Sequence, residues 1–95
     1  MKSPEQAKAY AKVEMKSWGW KTSAEWSCLH TLWTKESNWR KAAKNKVPVT
    51  QTRGGKRVKL HAGGIPQILG LDPLTTVPQQ IERGFEYISH RYGSP

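Results

Sequence analysis

Ninety-five residues suffice for one domain with a small core and leave no room for a second. With 36% hydrophobic residues, six prolines, eight glycines and no low-complexity tract, the composition is that of a folded globule, and no stretch has the apolar length of a membrane span. The single cysteine, Cys28, excludes an internal disulfide, and a net charge of +9, from sixteen Lys and Arg against seven Asp and Glu, favours polyanionic partners: nucleic acid, anionic lipid, or the carboxylates and phosphates of a bacterial cell wall.

Met1-Lys2-Ser3-Pro4-Glu5 leads into a polar helix rather than the apolar segment of a signal peptide. The spacing of Ala7, Tyr10, Ala11, Met15 and Trp18 predicts that helix over residues 4–18, with Ser3 as N-cap, Pro4 in the first turn and Gly19 as the stop. Thr22-Ser23-Ala24-Glu25 is a capping-box pattern that opens a second helix running to about Ser37. Residues 38–46 are polar and basic. In the segment Val47 to His61, Gly54-Gly55 separates two β-prone runs and predicts a short hairpin. A short helix is expected from the Ala62-Gly63-Gly64-Ile65-Pro66-Gln67 stretch to about Gly70, followed by a connection over Leu71 to Val77 that carries Asp72-Pro73. A last helix over 77–92 opens with a Thr76/Gln79 capping box, buries Ile81, Phe85, Ile88 and Tyr92, and ends at Gly93. No internal repeat is present.

On the second helix, about 100° per residue gathers Trp26, Leu29, Leu32 and Trp33 into one arc, opposite Ser27, Thr31, Thr34 and Lys35. Glu36 falls inside the apolar arc, at the helix C-terminus. Desolvation and the partial negative charge of the helix end both disfavour its ionised form there. A carboxyl that keeps its proton is what a general acid needs to donate to a departing glycosidic oxygen. Periodicity leaves a plainer reading open, in which the stripe ends at Trp33 and Glu36 is exposed or paired with Arg40 four residues on.

The run from Trp26 through Leu32-Trp33-Thr34-Lys35-Glu36-Ser37-Asn38-Trp39, then Ala43-Lys44-Asn45, Gly64-Ile65-Pro66-Gln67, Gln80-Ile81 through Tyr87-Ile88, and Arg91-Tyr92-Gly93, resembles the soluble lytic transglycosylase family. The similarity is to its short versions in phage tape-measure and bacterial cell-wall proteins, and it covers about residues 26–95 in the family's order. It implies a lysozyme-like fold: mainly α, α+β in class, one domain over 1–95, with a helical body, a small β-hairpin lobe and a sugar-binding groove between them. It also implies Glu36 as catalytic acid and base, with Ser37 beside it and Gln67 lining the cleft. Tyr87 would reach toward the catalytic carboxyl, while Asn45, Gly64 and Ile65 join the substrate-binding set. For Gln67, Asn45 and Tyr87 taken singly, a cap, a loop turn and a stripe edge remain equally open roles. The five tryptophans are read as core, with one or two free to stack on sugar rings. Three departures bear on the outer groove: His61 stands where the family has a glycine before the alanine, the basic segment 47–61 is long, and the chain stops at Pro95.

Residues 37–71 contain no Asp or Glu, so the hairpin offers no second carboxylate of the kind a hydrolase places about 5 Å or more from its acid. The expected reaction is therefore cleavage of the MurNAc-GlcNAc bond with a 1,6-anhydro-MurNAc product. Peptidoglycan glycan strands are the expected partner and a monomer the expected state, without cofactor or metal, since His30, His61, His90 and Cys28 form no ligand pattern. The expected place of action is the bacterial wall, reached within a virion or after release from a host cytoplasm. Two alternatives stand beside this reading. One is a muramidase that enlists Asp72 or a substrate group in place of the missing carboxylate; the other, disfavoured for want of any helix-turn-helix, zinc or RNP signature, is a noncatalytic module whose runs at Arg40-Lys41 and Arg53 to Lys59 grip nucleic acid or the wall.

Overall fold

Three reciprocal capping boxes fix where the helices of this chain begin. In the computed structural model, which describes residues 3–72 and 74–95 and Arg53 by its backbone alone, α1 spans Pro4–Glu14, α2 Ser23–Ser37 and α3 Val77–Tyr92. Ser3, Thr22 and Thr76 each accept from the backbone N–H three residues on, and Gln6, Glu25 and Gln79 return the contact to the cap's own N–H. Met1, Lys2 and Pro73, which the sequence places in the N-terminal lead and the 71–77 connection, lie outside the described residues, as does the Arg53 side chain of the basic run.

The predicted first helix tightens at its end. Met15–Trp18 form a 3-10 turn, and Gly19 reverses the chain at φ 80°. Strands β1 (Val49–Arg53) and β2 (Lys56–Leu60) pair antiparallel across Gly54 and Gly55, whose φ values of 58° and 78° are those of a tight two-residue turn matched to strand twist. The register places Thr50, Thr52, Arg57 and Lys59 on one exposed face, and turns Gln51, Val58 and Leu60, half-buried, toward the body.

The short helix expected from the 62–67 stretch to about Gly70 does not form. Ala62–Gly63 (β3) and Ile68–Leu69 (β4) instead make a minimal antiparallel pair around a turn at 64–67, and Lys44 bridges to Gly63. Tertiary partners claim the backbone groups a helix would have used: Gly64 N–H donates to Ala43 O (2.8 Å), Ile65 N–H to Gln80 Oε1 (2.9 Å), and Ile65 O accepts from Ser37 Oγ (2.7 Å). Pro66 adds to this by steering Ile65 away from helical dihedrals. The architecture is thus mixed α+β, with three α-helices and two two-stranded sheets among the described residues.

The core gathers Leu29 and Trp33 of α2, Ile81, Phe85 and Ile88 of α3, Ala7 and Ala11 of α1, with Met15, Trp20, Trp39 and Ile65. The Trp33 ring stacks on Phe85 at 5.6 Å and meets Trp39 edge-on at 5.2 Å. Gly84 permits this closeness, because a β-carbon there would lie 2.6 Å from the Trp33 ring and 2.8 Å from Pro66. Tyr92, expected in the buried stripe of α3, is 66% exposed: the helix's last turn runs past the end of the core.

Where α1 meets α3, Glu82 accepts from the Trp18 indole N–H (3.3 Å), while its Oε1 is buried with no hydrogen-bond partner among the described residues. Burial, and then the neighbouring Glu14 carboxyl, hold the Glu82 carboxyl above the usual carboxylate range, against the opposing pull of Trp18. Burial and the same acidic neighbours raise the Tyr10 phenol.

Candidate functional site

The last turn of α2 carries the residue on which the sequence reading rests. Leu29, Trp33 and Ser37 follow one another at four-residue intervals, and all three are buried. Glu36 precedes Ser37 by one position, about 100° around the helix, and this rotation carries it out of the core. The expectation of a buried carboxylate is therefore corrected: Glu36 is exposed, and Ser37 occupies the core-facing place at the end of the stripe. Leu32, one turn before Glu36 on the same flank, is likewise 40% exposed. The ion pair with Arg40 does not form either, since Arg40 Nε donates to Ser37 O (3.3 Å). Glu36 has no hydrogen-bond or ion-pair partner among the described residues.

Two clefts flank this carboxylate. One, of about 430 Å³, lies between α2, Gln51 of β1, the 66–69 segment and α3; Leu32, Trp33, Tyr87 and Tyr92 give it an apolar and aromatic lining without a cation. The other, of about 510 Å³, opens toward the chain after α2 and is lined by Lys35, Arg40, Lys44 and Asn45 among polar neighbours. Glu36 and Gln67 line both, and Glu36 is the sole acidic side chain lining either.

The other residues singled out in the sequence divide into those that line these clefts and those that build them. Gln67 adopts φ 52°, and its Nε2 donates to Gly64 O (2.8 Å) and Ala43 O (3.2 Å), which leaves Oε1 as the uncommitted acceptor of a fixed amide. Tyr87 is 57% exposed and shares the first cleft with Glu36, without a hydrogen bond between them. Asn45 lines the second cleft while its Oδ1 accepts from Val47 N–H (3.0 Å), so it turns the loop as well. Ser37 lines that cleft too, yet its Oγ faces inward to Ile65 O and accepts from Trp39 N–H (3.1 Å). Gly64 lies apart from both clefts, and Ile65 is fully buried; their part is to carry the turn that presents Gln67.

Gln80 is the residue that sequence reasoning missed. Its side chain, 1% exposed, accepts from Ile65 N–H and donates from Nε2 to Thr75 O (3.1 Å) and Lys41 O (3.4 Å), joining three loops at the N-terminal end of α3. The signal was a polar residue at core spacing among Val77, Ile81 and Gly84. Trp39, read with the other tryptophans as core, is buried there, in a backbone conformation that spacing does not reveal. It takes φ 60° directly after Asn38 at 56°, an uncommon conformation for a bulky residue, held by indole contacts to His30 O (3.3 Å) and Thr34 Oγ1 (3.2 Å). Asp72 lines a third cleft, of about 530 Å³, with Lys41, His61 and Leu71, and Glu36 is not part of it.

Among the described residues no group of three or more His, Cys, Asp or Glu is placed to hold a metal ion, and no helix is long and apolar enough to cross a membrane. No protein-family model matches the chain, and no curated protein or solved structure gives a match.

Proposed function

We propose that this chain is a lytic transglycosylase of lysozyme-like design that breaks the MurNAc-GlcNAc bond of peptidoglycan, with Glu36 as its acid and base. The observation that carries the reading is the solitary carboxylate at the meeting of two clefts. Glycosidic oxygen is a poor leaving group and must be protonated as it departs, and Glu36 supplies that proton. As the C1–O4 bond breaks, the MurNAc C6 hydroxyl oxygen bonds to C1 and returns its own proton to Glu36. The product is a 1,6-anhydro sugar, and the carboxyl ends as it began.

Hydrolysis would need a second carboxylate within about 5–9.5 Å to act as nucleophile or to activate water. Neither cleft at Glu36 offers one, and Asp72, the first carboxylate after Glu36 in the sequence, belongs to another cleft, which favours transglycosylation over a muramidase that enlists Asp72. Because Glu36 is exposed in the free protein, the glycan itself supplies the burial that general-acid chemistry requires: a saccharide spanning both clefts displaces water from the carboxyl. Gln67 Oε1 and the Tyr87 hydroxyl are the polar groups left to orient it. A nucleic acid, by contrast, would meet charge without stacking platforms, since residues 47–60 contain no aromatic side chain.

Glu36→Gln tests the proposal on purified peptidoglycan. Activity is expected to fall by roughly 10²–10⁴-fold. At an exposed position the change should leave the melting temperature nearly unmoved. Mass spectrometry of the wild-type digest should show anhydro-muropeptides. Reducing ends in their place would replace transglycosylation with hydrolysis, and undiminished lysis by Glu36→Gln would remove the carboxyl from its role.

A further inference from the structure

The two clefts at Glu36 are chemically unlike, and the difference bears on which substrate they take. The cleft toward Tyr87 and Tyr92 has aromatic and apolar walls and no cation. The cleft toward Asn45 carries Lys35, Arg40 and Lys44. None of these three cations is paired: Lys8 and Glu5 form the one ion pair among the described residues, and Arg40 spends only its Nε, on Ser37 O. The surrounding chain does nothing to neutralise them, because residues 37–71 hold eight of the sixteen Lys and Arg and none of the seven Asp and Glu.

Sugar rings need flat apolar faces and hydroxyl partners, which the first cleft provides; they have no use for three uncompensated cations. From this we infer that the second cleft is a carboxylate-binding subsite, in which Arg40 and Lys44, with Lys35 at the rim, hold the anionic side arms of the glycan strand. The inference rests on the reading of the clefts as a glycan groove. The carboxylate comes either from the lactyl group of MurNAc or from the peptide attached to it. Arg40 is the specific element, since its Nε bond to the end of α2 fixes the guanidinium plane and leaves both terminal nitrogens to a bidentate partner. Lys44 is placed by its strand bridge to Gly63 and adds charge rather than geometry.

The test measures binding by the catalytically silent Glu36→Gln protein of three equally long oligosaccharides: peptide-bearing glycan, amidase-stripped glycan with free lactyl carboxylates, and uncharged chitooligosaccharide. Both anionic ligands should bind roughly tenfold or more tightly than the uncharged one. Adding Arg40→Gln and Lys44→Gln should erase that advantage while leaving chitooligosaccharide affinity unchanged. Arg40→Lys should restore only part of it, because an ammonium keeps the charge without the fork. A preference for the peptide-bearing ligand alone would assign the subsite to peptide carboxylates, a preference for the amidase-stripped ligand alone to the free lactyl carboxylate, and equal gains for both to a subsite that takes either carboxylate. Equal binding of all three ligands, unaltered by the double substitution, would overturn the subsite and leave the catalytic reading standing. Failure of every ligand to bind would overturn both.

Discussion

Ile65 makes the arrangement at the end of α2 intelligible one residue at a time. Its N–H is taken by Gln80, its carbonyl by Ser37 and its side chain by the core, so the turn that presents Gln67 is tied to α2 on one side and to α3 on the other. Gln80→Leu fills nearly the same volume but leaves the buried Ile65 N–H without an acceptor. The expected cost is about 1–3 kcal/mol in urea unfolding, and the proposed lytic activity should fall as well because Gln67 shifts with the turn. Sequence spacing led to the right helix face here and missed by one residue: Leu29, Trp33 and Ser37 continue the stripe, while Glu36 sits beside it on the cleft side. A serine reads as polar, so periodicity assigned its buried place to the neighbour. Ser37 satisfies its hydroxyl fully within the protein, which is why a small polar group could take that place.

At the scale of elements, those whose limits are set by local chemistry were legible and the one set by distant partners was not. The three helix starts follow from Ser/Thr caps with Gln or Glu three residues on, and the β1–β2 hairpin from Gly54-Gly55. Thr22→Ala removes two contacts of the α2 cap, and thermal unfolding should show a loss of about 1 kcal/mol. The 62–69 stretch gave no such local signal. Its β3–β4 pairing depends on Ala43, Ser37 and Gln80, residues up to twenty-eight positions away, and no window of sequence contains them together. The clefts were equally beyond local reading, since the cation trio comes from α2 and the loop after it while Gln67 arrives from the turn.

Across the whole molecule, acid and base are distributed unequally. Glu82, Glu14 and Glu86 gather with Tyr10 and Trp18 at the α1–α3 seam, whereas the hairpin lobe is purely cationic. Because the Glu82 carboxyl is raised in the folded state, its contribution to stability is complete at acidic pH and is lost as the pH climbs through that raised value. Wild type should therefore lose ground to Glu82→Gln in melting temperature between mildly acidic and neutral solution, and an identical pH slope for the two proteins would refute a proton held at the seam. The hairpin faces a different problem. Strand β1 pairs only with β2 among the described residues, so the ribbon has two open edges, the arrangement through which separate molecules zip into aggregates. Arg57 and Lys59, on its outward face opposite Thr52 and Thr50, set like charges against any approaching copy. The positive surface that the proposed function would set against an anionic wall thus keeps neighbouring molecules apart in solution.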